Sequence, residues 1–134
     1  MTAKLLHLEV SEGEDWSKAY TYPDAASPLD LSNHTARMAV RIGVGQALQA
    51  YFSTGSDANG GTIALGGANG VITMSMTAAQ SDNLVGDIDL QSLIAGKTHQ
   101  RTEVFDYDLE IIDASGAVTR ALQGKLLVNR GITR

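Results

Sequence analysis

Hydrophobic and polar residues alternate along most of this chain with a period of two, most clearly near the C-terminus. Phe105, Tyr107, Leu109 and Ile111 fall on one side of an extended segment, with Asp106, Asp108 and Glu110 on the other. Such alternation marks a half-buried strand. Asp113-Ala114-Ser115-Gly116 then interrupts it with short polar residues and a glycine, which suit a tight turn. A second run sets Leu122, Gly124, Leu126 and Val128 against Gln123, Lys125, Leu127 and Asn129. Two alternating runs around a glycine-bearing turn predict a β-hairpin. Phe105, Tyr107, Leu109, Ile111, Leu126 and Val128 are expected to form one wall of the core.

The same period recurs upstream. Residues 4–10 set Leu6, Leu8 and Val10 against Leu5, His7 and Glu9, a first strand. Residues 16–22 place Trp16, Tyr20 and Tyr22 on one side with Lys18 between them, and Trp16 is expected to plug the core. Both prolines fall between Pro23 and Ser32, which reads as a loop anchored by Leu29 and Leu31. In residues 34–42, Ala36, Met38, Val40 and Ile42 are expected to face inward and Thr35, Arg37, Ala39 and Arg41 outward. A turn at Gly43-Val44-Gly45 leads to residues 47–53, with Leu48, Ala50 and Phe52 inward. Ile63 and Leu65, then Ile72, Met74 and Met76, complete the inward positions of two further strands around the Gly66–Gly70 turn.

The period changes once. Thr77-Ala78-Ala79-Gln80 has the form of a capping box, in which the first side chain caps the helix and the fourth reaches back. One or two helical turns are predicted over residues 78–84. Residues 87–103 read either as a strand and loop or as a helical turn stopped at Gly96, followed by an exposed polar stretch. About eight short strands without βαβ alternation predict an all-β, antiparallel, two-sheet β-sandwich. At 134 residues, one domain spanning 1–134 is expected.

Composition narrows the function classes. The chain is 43% hydrophobic and 19% charged, with a net charge of −5. An acidic balance argues against a nucleic-acid partner, which calls for a basic face, and against anionic membranes. No run approaches the roughly 18 apolar residues of a membrane span. The start, MTAKLLHLEVSEGEDW, has only a short apolar run before acids follow, unlike a secretory leader. Absence of cysteine removes disulfides and thiolate chemistry. Aromatic residues make up only 5%, which leaves few stacking platforms for sugars or bases.

Candidate chemistry is sparse. His7, His34 and His99 are scattered and share no metal-ligand spacing. Asp106, Asp108 and Glu110, with Asp87 and Asp89, supply oxygen atoms of the kind calcium takes. The same spacing describes a solvated strand face, and these acids are equally placed to pair with Lys125 or Arg120 across the hairpin. Asp57-Ala58-Asn59-Gly60 resembles a fragment of a calcium loop but lacks the remaining ligands. The glycine-rich runs lack the Lys and hydroxyl of a phosphate loop, and no Gly-x-Ser-x-Gly elbow occurs. Trp16, Tyr20 and Tyr22 are read as core rather than as a sugar platform. No catalytic, cofactor-binding or metal-binding residue is therefore assigned, no cofactor is expected, and the chain is read as a non-enzyme.

The order of its motifs does resemble a family. The polar turn before Trp16 (EGEDW) comes first, then Asp30-Leu31 and Thr35-Ala36-Arg37-Met38-Ala39-Val40-Arg41. Gly61 to Leu65, Val71 to Met76 and the turn from Thr77 to Leu84 follow. Tyr107-Asp108-Leu109-Glu110-Ile111, Gly116 and Arg120 to Val128 complete the set. In this order the chain is similar to the small β-sandwich virion proteins of tailed phages and prophages. It is similar in particular to the immunoglobulin-like N-terminal domain of lactococcal-type upper baseplate proteins. The resemblance implies an immunoglobulin-like sandwich that docks onto a tail, baseplate or neck as a repeated subunit, in a symmetric ring of copies beside other virion proteins. It extends to presenting fibres or receptor-binding proteins. Two departures, the length of residues 87–103 and the lack of a linker or coiled coil after the last strand, favour a stand-alone tile, clasp or decoration. A capsid decoration or head-fibre protein is the alternative, and a carbohydrate-binding module in host adsorption a further one.

Overall fold

The computed structural model describes residues 3–42, 48–55, 59–84 and 102–129. Its strands are β1 (Lys4–Leu5), β2 (Leu8–Ser11), β3 (Trp16–Thr21), β4 (Thr35–Arg41), β5 (Leu48–Ser53), β6 (Gly61–Leu65), β7 (Val71–Met76), β8 (Thr102–Ile112) and β9 (Val118–Asn129). One short helix, α1 (Ala78–Asn83), follows β7. The fold is all-β, as the alternation predicts. The expected turn at residues 43–45, most of the 87–103 segment, and His99 lie outside the described residues.

The strands form one continuous curled sheet in the order β1-β9-β8-β4-β5-β6-β7-β3, with β2 also on β9. Its backbone is the terminal hairpin, in which β8 and β9 pair antiparallel from Thr102↔Asn129 to Ile112↔Val118. The turn between them is held by Asp113. Its N–H donates to the Ala117 carbonyl at 3.0 Å, and its carboxylate accepts from the N–H groups of Ser115 and Ala117. Gly116 has φ +91°, a left-handed conformation in which glycine carries no steric penalty.

Inward positions of the strands build a single core. Val10, Met38, Val40, Phe52, Ile72, Met74, Leu109, Leu122, Leu126 and Val128 are fully buried, and Phe105, Tyr107 and Ile111 nearly so. Of the loop anchors, Leu31 is buried and Leu29 is 38% exposed. Trp16 and Tyr20 are only half-buried against the core, whereas Tyr22 is completely enclosed. β3 is an edge strand, so its rings have a neighbour on one side only.

Several expectations need correction. The sheet is not wholly antiparallel: β1 and β2 both run parallel to β9, and β6 runs parallel to β5 through Phe52↔Gly61 and Ser53↔Thr62. The single first strand is two short pieces separated at Leu6 and His7. Ile42 and Leu48 are 50% and 44% exposed rather than inward. The cause for Leu48 is a bulge. Val40 pairs with Ala50 but Arg41 pairs with Leu48, so Gln49 is the extra residue. An extra residue flips the side chains beyond it to the other face. A second irregularity, between Leu109↔Leu122 and Glu110↔Arg120, buries Ala121 beside Leu122.

The helix forms as its capping box predicts. Thr77 Oγ1 accepts from the Gln80 N–H at 3.2 Å, and the Gln80 side chain accepts from the Thr77 N–H at 2.9 Å. Its first turn also grips the connection between β2 and β3. Asp15 accepts from the Ala78 N–H at 2.7 Å. The buried Ser81 hydroxyl donates to the Glu14 carbonyl and accepts from the Gly13 N–H.

Candidate functional site

The polar positions of β4, β8 and β9 share the outer face of the sheet, and register alone arranges their charges. Arg37 stands opposite Glu110, Ala39 opposite Asp108 and Arg41 opposite Asp106 across β4 and β8. Across the hairpin, Asp106 meets Lys125, Asp108 meets Gln123 and Glu110 meets Arg120. A central row of acids is thus flanked by two rows that carry the cations. Directly opposed and diagonal residues on one face lie within reach of each other's side chains.

The pairings follow this geometry. Arg37 Nε donates to Glu110 Oε1 at 2.8 Å, which raises the affinity of the guanidinium for its proton. Arg120 lies 3.5 Å from Asp108, and Lys125 bonds Asp106. The acid row is engaged by cations, as one of the two readings of its spacing requires. Among the described residues, no group of three or more His, Asp or Glu side chains converges as a metal site would. Asp87, Asp89 and two members of the loop fragment, Asp57 and Ala58, lie outside the described residues. Asn59 uses its side-chain oxygen to accept from the Tyr51 N–H at 3.0 Å.

A groove of about 390 Å³ crosses this face. Leu5 and His7 form one lip and Ala39 and Arg41 the other, with Asp106, Asp108, Arg120, Gln123 and Lys125 between. Its volume falls in the range of small-ligand sites, about 300–1,000 Å³. It offers a polar partner both signs of charge within a few residues, beside the 69% exposed side chain of Leu5.

His7 is the residue whose place here sequence reasoning missed. At the break between β1 and β2 its Nδ1 accepts from the Lys125 N–H at 3.0 Å, so a ring nitrogen fills a place in the β9 ladder. Leu6 donates its N–H to the Gln123 carbonyl at 2.9 Å, and its own carbonyl accepts from the Tyr107 hydroxyl. The Leu6 carbonyl packs so closely onto Gly124 that any β-carbon there would collide with it. Burial, with the phenol of Tyr20 adding to it, makes the Tyr107 hydroxyl a weaker acid than a free phenol. No sequence signal announces a parallel partner so distant in the chain. Arg37 and Arg41 were legible as outward cations, and matching them to Glu110 and Asp106 needed only the strand order.

His34 lies apart, near Asp113, Tyr22 and Thr119 around a second hollow of about 270 Å³. Hydrogen bonds from the Ser115 side chain, then from backbone N–H groups, hold the Asp113 carboxyl below the usual carboxylate range.

No family model matches the chain, and no curated protein matches it. A solved structure described as "ICOS in complex with ICOS-L and an anti ICOS-L VNAR domain" is similar at 11% identity with a TM-score of 0.46. The match covers 96% of this chain and 56% of that one, so the chain spans little more than half the length of the solved chain.

Proposed function

We propose that this protein is a non-enzymatic structural subunit of a tailed-phage virion, placed at the tail, baseplate or neck and docked there as one of a ring of copies. The ordered resemblance from EGEDW to the terminal hairpin supports the reading, and an immunoglobulin-like two-sheet arrangement belongs to the same proposal. The structural observation that carries it is the outer face of β4, β8 and β9. Each of its acids pairs with a cation on a neighbouring strand, Glu110 with Arg37, Asp106 with Lys125 and Asp108 diagonally with Arg120, which makes a salt-bridged tile. Exposed apolar side chains gather where β4 ends and β5 and β8 begin: Ile42, Leu48 and Val104, at 50%, 44% and 51% exposure. These supply a contact for a neighbouring virion protein.

Docking in this reading uses faces, not edges. β1 and β2 cover the outer side of β9 at Leu122, Gln123 and from Leu126 to Asn129, so much of the terminal hairpin's edge is already taken. At the other end of the sheet β3 places Lys18 opposite the buried Met74, on the core-facing side of an edge strand, yet exposed. A charge in that position discourages a further strand from pairing.

Mass spectrometry of purified particles tests the proposal. The protein is expected among the particle proteins, and its absence from them overturns the reading. Copy number then separates a tail ring from a capsid decoration, because a shell needs many more copies than a ring.

A further inference from the structure

We propose that His7 makes the seating of the N-terminal strand on β9 dependent on pH. A backbone N–H can only donate. For Lys125 N to bond His7 Nδ1 at 3.0 Å, that nitrogen must carry a lone pair, so the seated ring is neutral with its proton on Nε2. A protonated imidazole has two donors and no acceptor. Proton uptake therefore removes the acceptor of the Lys125 amide and sets two donors face to face.

The charges around the ring decide whether anything offsets that loss. On β9, Lys125 and Arg120 oppose an added cation, as does Arg41 on β4. On β8, Asp106 and Asp108 attract one, but Lys125 and Arg120 already engage them. On β2, Glu9 accepts from the Asn129 side chain. No nearby acid is left in sole possession of His7. The least costly response is for residues 4–11 to loosen from β9, because β9 keeps its full register with β8 on the other side.

Amide hydrogen exchange resolved by residue, corrected for its intrinsic pH dependence, tests this on the full chain. Protection of the Lys125 amide is expected to fall about tenfold from about pH 8 to about pH 5, the scale of one net hydrogen bond. An amide within the β4–β8 ladder serves as the internal reference and is expected to hold. In His7→Asn, whose amide oxygen accepts at any pH, the fall is expected to vanish. Equal protection at both pH values, or the same fall in H7N, overturns the proposal. The ring tautomer of the wild-type protein needs no variant. Nitrogen NMR at about pH 8 is expected to show the proton on Nε2, and a proton on Nδ1 overturns it.

Discussion

The two sides of β9 are held by different means. On one side β8 pairs with it antiparallel through a local turn, with Phe105, Tyr107, Leu109, Ile111, Leu122, Leu126 and Val128 buried and Asp106, Asp108 and Glu110 each near a cation. On the other side the N-terminal segment runs parallel, is broken after Leu5, and relies on a histidine ring, a tyrosine hydroxyl and a bare glycine to cross the break. The hairpin's contacts are mostly repeated and redundant. The N-terminal strand's contacts at the break are individual, so each can be removed singly. Stability concentrates in the first and adjustability in the second, in keeping with the general spread of local opening energies across a fold.

Substitutions on either side of β9 sharpen this contrast. Leu109→Ala in the centre of β8 empties a fully buried position and is expected to cost about 2–5 kcal/mol. Chemical denaturation should show one cooperative transition shifted as a whole. Gly124→Ala sets a β-carbon against the Leu6 carbonyl and is expected to cost about 1–3 kcal/mol as local overpacking. Here hydrogen exchange should show loss of protection confined to Leu6 and its neighbours, and loss spread evenly through the hairpin would erase the distinction between the two sides.

Asp113→Ala acts at the hairpin turn and should lower the melting temperature less. Its pH dependence has a definite sign. Because the folded carboxyl is held below the usual range, first by Ser115, its contribution is complete above the unfolded value and is lost as pH falls through the lowered folded one. The variant should therefore lack part of the wild-type loss of stability in acid, measured by melting at successive pH values. Glu110→Gln is expected to have the smallest effect, below about 1 kcal/mol in double-mutant cycles with Arg37, since the pair is exposed.

The same contrast explains what could be read in advance. The hairpin, its turn and the capped helix depend on neighbours in sequence, and the alternation of Phe105 to Ile111 and the spacing of Thr77 and Gln80 state them directly. The parallel strands do not, because pairing Leu8 with Leu126 leaves no local mark. A period-two count places Leu48 inward because it assumes no extra residue, and Gln49 is one. At the outer face, the cations and the acids were separately visible. Their meeting across β4 and β8 required the strand order, and the role of His7 required the break that only the folded chain has.

The turn from Glu12 to Asp15 has one further consequence. It joins β2 to β3, and these strands belong to opposite ends of the sheet. Covalent chain therefore runs from one margin of the curled sheet to the other, and Ser81 and Asp15 fasten that crossing to the helix. A sheet hemmed in this way cannot flatten without tearing its own seam.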